Sequence, residues 1–111
     1  MKVKDIVEAL GLKVLSGAEG LKNEIEGGYV SDLLSDVMGH SQEGEVWVTL
    51  QTHKNIMAIA SLKDLAAVVL IKNLKPADDA AAQSNEEGIP ILGTELSAFE
   101  ITGKLYNLLN K

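Results

Sequence analysis

Gln51-Thr52-His53-Lys54-Asn55 is a polar cluster that follows the apolar run Val46-Trp47-Val48-Thr49-Leu50 without a gap. His53 can donate or accept a hydrogen bond and changes charge near neutral pH. Lys54 offers a point charge suited to phosphate. Thr52 can cap a helix and leave backbone N–H groups aimed at an anion. A strand, a polar loop and a helix start, in that order, is the arrangement of ligand sites at the carboxyl ends of α/β strands. The plain structural alternative is that Thr52 and Asn55 cap and brace the helix while His53 and Lys54 are solvated.

Gly27-Gly28-Tyr29-Val30-Ser31-Asp32 forms a second candidate loop. Paired glycines permit a positive φ and a close approach by a ligand or another backbone. Tyr29 supplies a stacking face and a hydroxyl. Ser31 and Asp32 supply acceptors at a helix start, and the alternative is a tight turn into a capped helix. If the strands before these loops are neighbours, the two loops meet in space. Thr94 follows the strand Ile91-Leu92 and joins the same rim if the sheet is parallel. The binding candidates are therefore Gly27, Gly28, Tyr29, Ser31, Asp32, Gln51, Thr52, His53, Lys54 and Thr94.

Other chemistries find less support. Asp36 and His40 are four residues apart, but Gly39 is expected to end their helix first, and no further residues have metal-ligand spacing. Ser31, Ser35 or Ser41 with His53 is a coincidence of composition without a motif. No catalytic residue, metal site or cofactor is expected. Ala98-Phe99-Glu100-Ile101-Thr102-Gly103-Lys104-Leu105 fails as a phosphate-binding loop of the GxxxxGK[ST] form. Alanine replaces its first glycine, leucine replaces its hydroxyl residue, and the segment has helical spacing.

The elements that must position these residues emerge from periodicity. Val3, Ile6, Val7 and Leu10 share one helix face, and Gly11 is the stop signal. Leu12–Leu15 suits a short strand, residues 16–20 a turn, and Ile25–Val30 a strand interrupted by Gly27-Gly28. Ser31 or Asp32 should cap a short helix through Met38, stopped by Gly39. A strand over Val46–Leu50 precedes a helix over Lys54–Lys63 capped by Thr52. Ala66–Ile71 is continuously apolar, as in a strand covered on both faces. Pro76, Asp78 and Asp79 open a helix that Gly88 ends. Ile89–Leu92 is a short strand, and Thr94 should cap a last helix from Glu95 to about Asn110. Strands separated by helices imply parallel pairing with right-handed crossovers. The expected fold is one α/β domain over residues 1–111, three layers deep. Its central sheet has about five mostly parallel strands flanked by helices.

The last helix carries an unusually wide apolar arc. Ala98, Ile101, Leu105 and Leu108 form one apolar face. Phe99, Thr102, Tyr106 and Leu109 form a second, mostly apolar one beside it. Either the helix packs deeply on the sheet, or Phe99, Thr102, Tyr106 and Leu109 meet a second subunit.

Composition narrows the function classes. The 111 residues suit one domain, and with 46% hydrophobic and 4% aromatic residues the core must be aliphatic. The net charge is −6, and all ten basic residues are lysines. Without arginine, a nucleic-acid partner is not expected. The absence of cysteine excludes thiol chemistry and disulfides. The Met1-Lys2-Val3-Lys4-Asp5 start is not a signal peptide, and no apolar run approaches the roughly 20 residues of a membrane span. A cytoplasmic protein without a membrane partner is expected.

Three segments together resemble the DRTGG domain family: residues 25–36, Gly44-Glu45-Val46-Trp47-Val48-Thr49-Leu50-Gln51-Thr52-His53, and Leu65-Ala66-Ala67-Val68-Val69-Leu70. The similarity is to stand-alone forms related to the N-terminal domain of HPr kinase/phosphorylase. Relatives occur as regulatory segments of phosphotransacetylases and of CBS-containing pyrophosphatases. The turn and strand Gly44–Leu50 also resemble the N-terminal domain of Mur ligases. Asn23-Glu24 departs from the acidic-basic pair usual in the family, whereas Gly27-Gly28 is kept. The resemblance implies a dimeric α/β domain without an activity of its own. The leading expectation is a non-catalytic regulatory module that senses a small anionic ligand such as a nucleotide and signals to a protein partner. The competing one is a pure interaction module whose loops only cap helices.

Overall fold

The computed structural model describes residues 1–111. Helix α1 (Val3–Leu10) buries Val3 and Ile6 and ends at Gly11, whose φ of 62° is the left-handed cap that glycine adopts without strain. Strand β1 (Lys13–Ser16) and a 3-10 turn (Ala18–Lys22) lead to β2 (Gly27–Val30). The chain then alternates: α2 (Leu34–His40), β3 (Glu45–Thr49), α3 (Asn55–Leu62), β4 (Ala67–Leu70), α4 (Asp78–Glu87), β5 (Ile91–Gly93) and α5 (Ala98–Leu109).

The five strands form one sheet in the order β1-β5-β4-β3-β2. β2 to β5 are parallel, and β1 closes one edge antiparallel to β5. This is the expected three-layer α/β domain. Alternation along β3 sends Trp47 to one face and Val46 and Val48 to the other. Trp47, Val68, Leu70 and Ile91 pack under α2, α3 and α4 through Val37, Ile56, Met57, Ala60 and Ala80. Val46, Val48, Val69 and Leu92 pack under α1 and α5 through Val3, Ile6, Ile101 and Leu105. The apolar runs of β3 and β4 are thus buried on both faces, as continuous strand hydrophobicity requires.

From β2 to β5 each crossover steps one strand along and keeps its helix on the same face. After β5 the chain passes to the opposite face as α5. The loops leaving β4 and β5 therefore diverge, one toward each face.

Several local expectations are corrected. β2 begins at Gly27 rather than Ile25, whose N–H instead donates to the Met1 carbonyl at 2.8 Å. Gly27-Gly28 does not interrupt the strand: the pair lies opposite Glu45 and Val46, and neither residue has a positive φ. Neither Ser31 nor Asp32 caps α2, which follows Leu33 without a side-chain cap and continues through Gly39 to His40. A Cβ at Gly39 would meet nothing within 4 Å, so no close packing requires the glycine. Thr52 does not cap α3: its carbonyl accepts from Ala77 N at 3.0 Å, and His53 Nδ1 accepts from Asn55 N at 3.1 Å. Thr94 does not cap α5. Ser97 does, accepting from Glu100 N at 3.3 Å while Glu100 Oε1 accepts from Ser97 N at 3.4 Å. That reciprocal capping box outcompetes a start at Glu95.

Candidate functional site

Because β2 and β3 are adjacent and parallel, the loops at their carboxyl ends meet. Asp32 is the junction. Its Oδ1 accepts from Thr49 Oγ1 at 2.9 Å and from Leu50 N at 2.8 Å, and its backbone carbonyl accepts from Gln51 Nε2 at 2.8 Å. Trp47, fully buried, donates from Nε1 to the Ser31 carbonyl at 2.8 Å and fixes the turn from below. Thr49 Oγ1 also accepts from Gln51 N at 3.2 Å.

Tyr29 donates its hydroxyl proton to Asp36 Oδ2 at 2.9 Å, tying β2 to α2. Hydrogen bonds from Ser31 and then Tyr29 hold the Asp36 carboxyl below its ordinary value, with His40 nearby acting in the same direction. Desolvation, followed by the Asp36 hydrogen bond and the charges of Asp36 and Glu45, raises Tyr29 above its ordinary value. Asp36 and His40 do occupy one helix, but no group of three His, Cys, Asp or Glu side chains converges on a metal position.

Thus Tyr29, Ser31, Asp32, Gln51 and Thr52 gather at one rim, with most of their polar atoms engaged inside the protein. His53 and Lys54 lie beside them and are exposed. None of Ser31, Ser35 and Ser41 is bonded to His53: Ser31 Oγ accepts from Leu33 N, and Ser41 Oγ donates to the Val37 carbonyl. Thr94 is nearly buried and belongs elsewhere on the rim. Its N–H donates to the Leu70 carbonyl at 3.0 Å, beyond β3 from the Asp32 loop.

The other half of the glycine loop opens onto the opposite face. A cavity of about 220 Å³ lies between β2 and α5, with Gly28, Val46 and Val48 as its floor and Thr102, Tyr106 and Leu109 as its wall. A Cβ at Gly28 would meet only Val46 O, at 3.6 Å, so the missing side chain helps make the space. Thr102 Oγ1 is buried without a hydrogen-bond partner. Phe99 is 90% exposed and Tyr106 67% exposed on the outer side of α5, beside Val30. The sequence pattern assigns Gly27, Gly28 and Tyr29 to a ligand loop and Phe99, Thr102, Tyr106 and Leu109 to a separate interface. The strand period at Gly28 and the wide arc of α5 were the available signals, but only the packing of α5 on β2 unites them.

The chain matches the DRTGG domain family over residues 5–108 and belongs to that family. No curated protein sequence matches it. Among solved structures it is similar to the CBS and DRTGG domains of the regulatory region of Clostridium perfringens pyrophosphatase, in complex with the activator diadenosine tetraphosphate. The TM-score is 0.71 at 12% identity, over 94% of this chain and 45% of that one. This chain therefore spans less than half the length of that structure, and the likeness is one of fold.

Proposed function

We propose that this chain is a non-catalytic regulatory module that pairs with a second copy through α5 and β2 and binds a small anionic ligand of the nucleotide class. The observation that carries the reading is the shared β2–α5 cavity. One strand presents Gly28 and Val30 to the surface that carries Phe99, Thr102, Tyr106 and Leu109, and ends in the rim at Ser31 and Asp32. A ligand at the carboxyl ends of the strands thereby has a short mechanical route to the pairing surface. The fold of a regulatory region bound to a nucleotide activator supports the regulatory half, as does membership of the DRTGG domain family. The cytoplasmic location and a protein partner that reads the paired state belong to the same proposal.

The test combines sedimentation velocity with thermal-shift titration against nucleotides. A ligand at 100 times its dissociation constant stabilises the native state by about 2.7 kcal/mol. The expected result is a dimer that Phe99→Asp dissociates and a dose-dependent rise in melting temperature. A monomer at all accessible concentrations removes the pairing half; a flat titration removes the ligand half. One observation favours the pure interaction reading: the Asp32 rim already satisfies its own polar groups. Dimerisation with a flat titration would select it.

A further inference from the structure

The geometry points to a phosphate-binding site at the divergence of β4 and β5, where Lys13, Lys104, Asn73 and Thr94 would hold the oxyanions of a small soluble phosphorylated ligand. This site rests on the proposed ligand binding and places the charged end of that ligand away from the His53 loop.

In open α/β sheets, ligands sit outside the carboxyl ends of strands where neighbouring connections leave toward opposite faces. Between β2 and β4 no such point exists, because α2, α3 and α4 share a face. Between β4 and β5 it does, because α5 packs on the other face. A cavity of about 420 Å³ occupies this position, lined by Lys13, Asn73, Gly93, Thr94, Glu95 and Lys104. Antiparallel β1 starts where β5 ends, with Lys13 opposite Gly93, so the edge strand brings its lysine to the carboxyl rim.

The charge around the cavity agrees with its topology. The ion pair in the structure joins the Met1 amino group to Glu24, and neither Lys13 nor Lys104 has a carboxylate partner. Two lysines against Glu95 leave this cavity with a cationic excess. The cavity at the opposite end of the sheet is lined by Glu24, Glu26, Glu43, Asp64 and Glu87 without a lysine. The β2–α5 cavity has Glu26 and no cation. In a chain of net charge −6, the divergence is the one of these three cavities with more cations than carboxylates.

The cavity rim is also built and held. Lys72 and Asn73 are consecutive left-handed residues, with φ of 55° and 61°. Such a conformation is uncommon outside glycine and persists where surrounding bonds enforce it. Here Lys72 N donates to the Leu96 carbonyl at 3.0 Å and Asn73 N to the Thr94 carbonyl at 2.7 Å. The two diverging loops are stapled together, with Asn73 on the cavity. Thr94 Oγ1 accepts from Leu96 N at 3.2 Å, which leaves its own proton available to donate. Two ammonium groups, a carboxamide N–H and a hydroxyl suit an ion with several acceptor oxygens.

The experiment is calorimetric titration of the full chain with inorganic pyrophosphate, ATP and, as the phosphate-free control, adenosine. Pyrophosphate and ATP should bind and adenosine should not. Lys13→Ala/Lys104→Ala should weaken binding tenfold or more, His53→Ala/Lys54→Ala should leave it unchanged, and Glu95→Gln should tighten it. Both lysines are exposed, and circular dichroism melting verifies that each variant remains folded. Binding lost in the His53/Lys54 variant but kept in the Lys13/Lys104 variant overturns this site while leaving the regulatory reading intact. Equal weakening by both pairs indicates diffuse attraction and also overturns it. No binding of either phosphate compound by the wild type removes the site and the anionic-ligand half of the proposed function together.

Discussion

At the carboxyl end of β2 and β3, polar side chains direct their hydrogen bonds at one another; between β2 and α5, apolar side chains and one hydroxyl are left without partners. Both regions are built on the same strand. Tyr29 and Asp32 are held by Asp36, Thr49 and Leu50, whereas Phe99 and Tyr106 stand in solvent beside Val30. A polar cluster closed in this way is a structural brace first. An apolar surface left open at a sheet edge has no equivalent use inside one copy, and burying one Phe side chain is worth about 1.5–3 kcal/mol. On the proposed function, the contrast places folding energy in the rim and association energy in the groove.

The largest effect that would sharpen this contrast is expected from Trp47→Ala. It empties a fully buried site beneath the rim and removes the bond to the Ser31 carbonyl. The loss should be about 3–5 kcal/mol in urea unfolding; a loss below about 1 kcal/mol would mean the indole does not anchor the turn. Asp32→Ala comes next, since it leaves Thr49 Oγ1 and Leu50 N without their acceptor. A cost of about 1–2 kcal/mol is expected after allowing for exposure to water. If stability is unchanged and nucleotide affinity collapses, the rim is a ligand site and the contrast breaks.

Phe99→Asp should change the stability of the folded monomer by only about 0.5 kcal/mol or less, because its side chain touches little within one copy. The readout is association, and unaltered sedimentation would show that the groove is not the pairing surface. The smallest effects concern pH. The Asp36 carboxyl lies below its ordinary value when folded, so its stabilisation is present above the unfolded value and is lost as pH falls through the folded one. Tyr29 lies above its ordinary value, so its contribution is present below the unfolded value and is lost as pH rises through the folded one. Asp36→Asn should flatten the acid limb of a stability–pH curve. Tyr29→Phe should flatten the alkaline limb, and an unchanged curve in either variant would rule out the Tyr29–Asp36 bond as its source.

The sequence by itself determined the order of elements and the layer architecture. The continuous apolar runs at Val46–Leu50 and Ala66–Ile71 report burial on both sheet faces, and the 3.6-residue stripes at Val3–Leu10 and Ala98–Leu109 report helices. These signals are local, so neighbouring residues suffice to reveal them. The polar composition of Gly27–Asp32 and Gln51–Lys54 likewise marked which loops could meet. Tertiary structure alone decided how each side chain is used. Asp32 resembles a helix cap until Thr49, 17 residues away, supplies a better partner. Thr94 resembles another until Asn73 and Leu70 take its backbone groups and Ser97 with Glu100 closes the helix start. Gly28 and Thr102 acquire a common cavity only when α5 crosses to the face left free by α2, α3 and α4. The physical reason is competition: a hydrogen-bonding group or an apolar face takes the best partner in three dimensions, and strand order brings that partner from sequence positions that no local pattern connects.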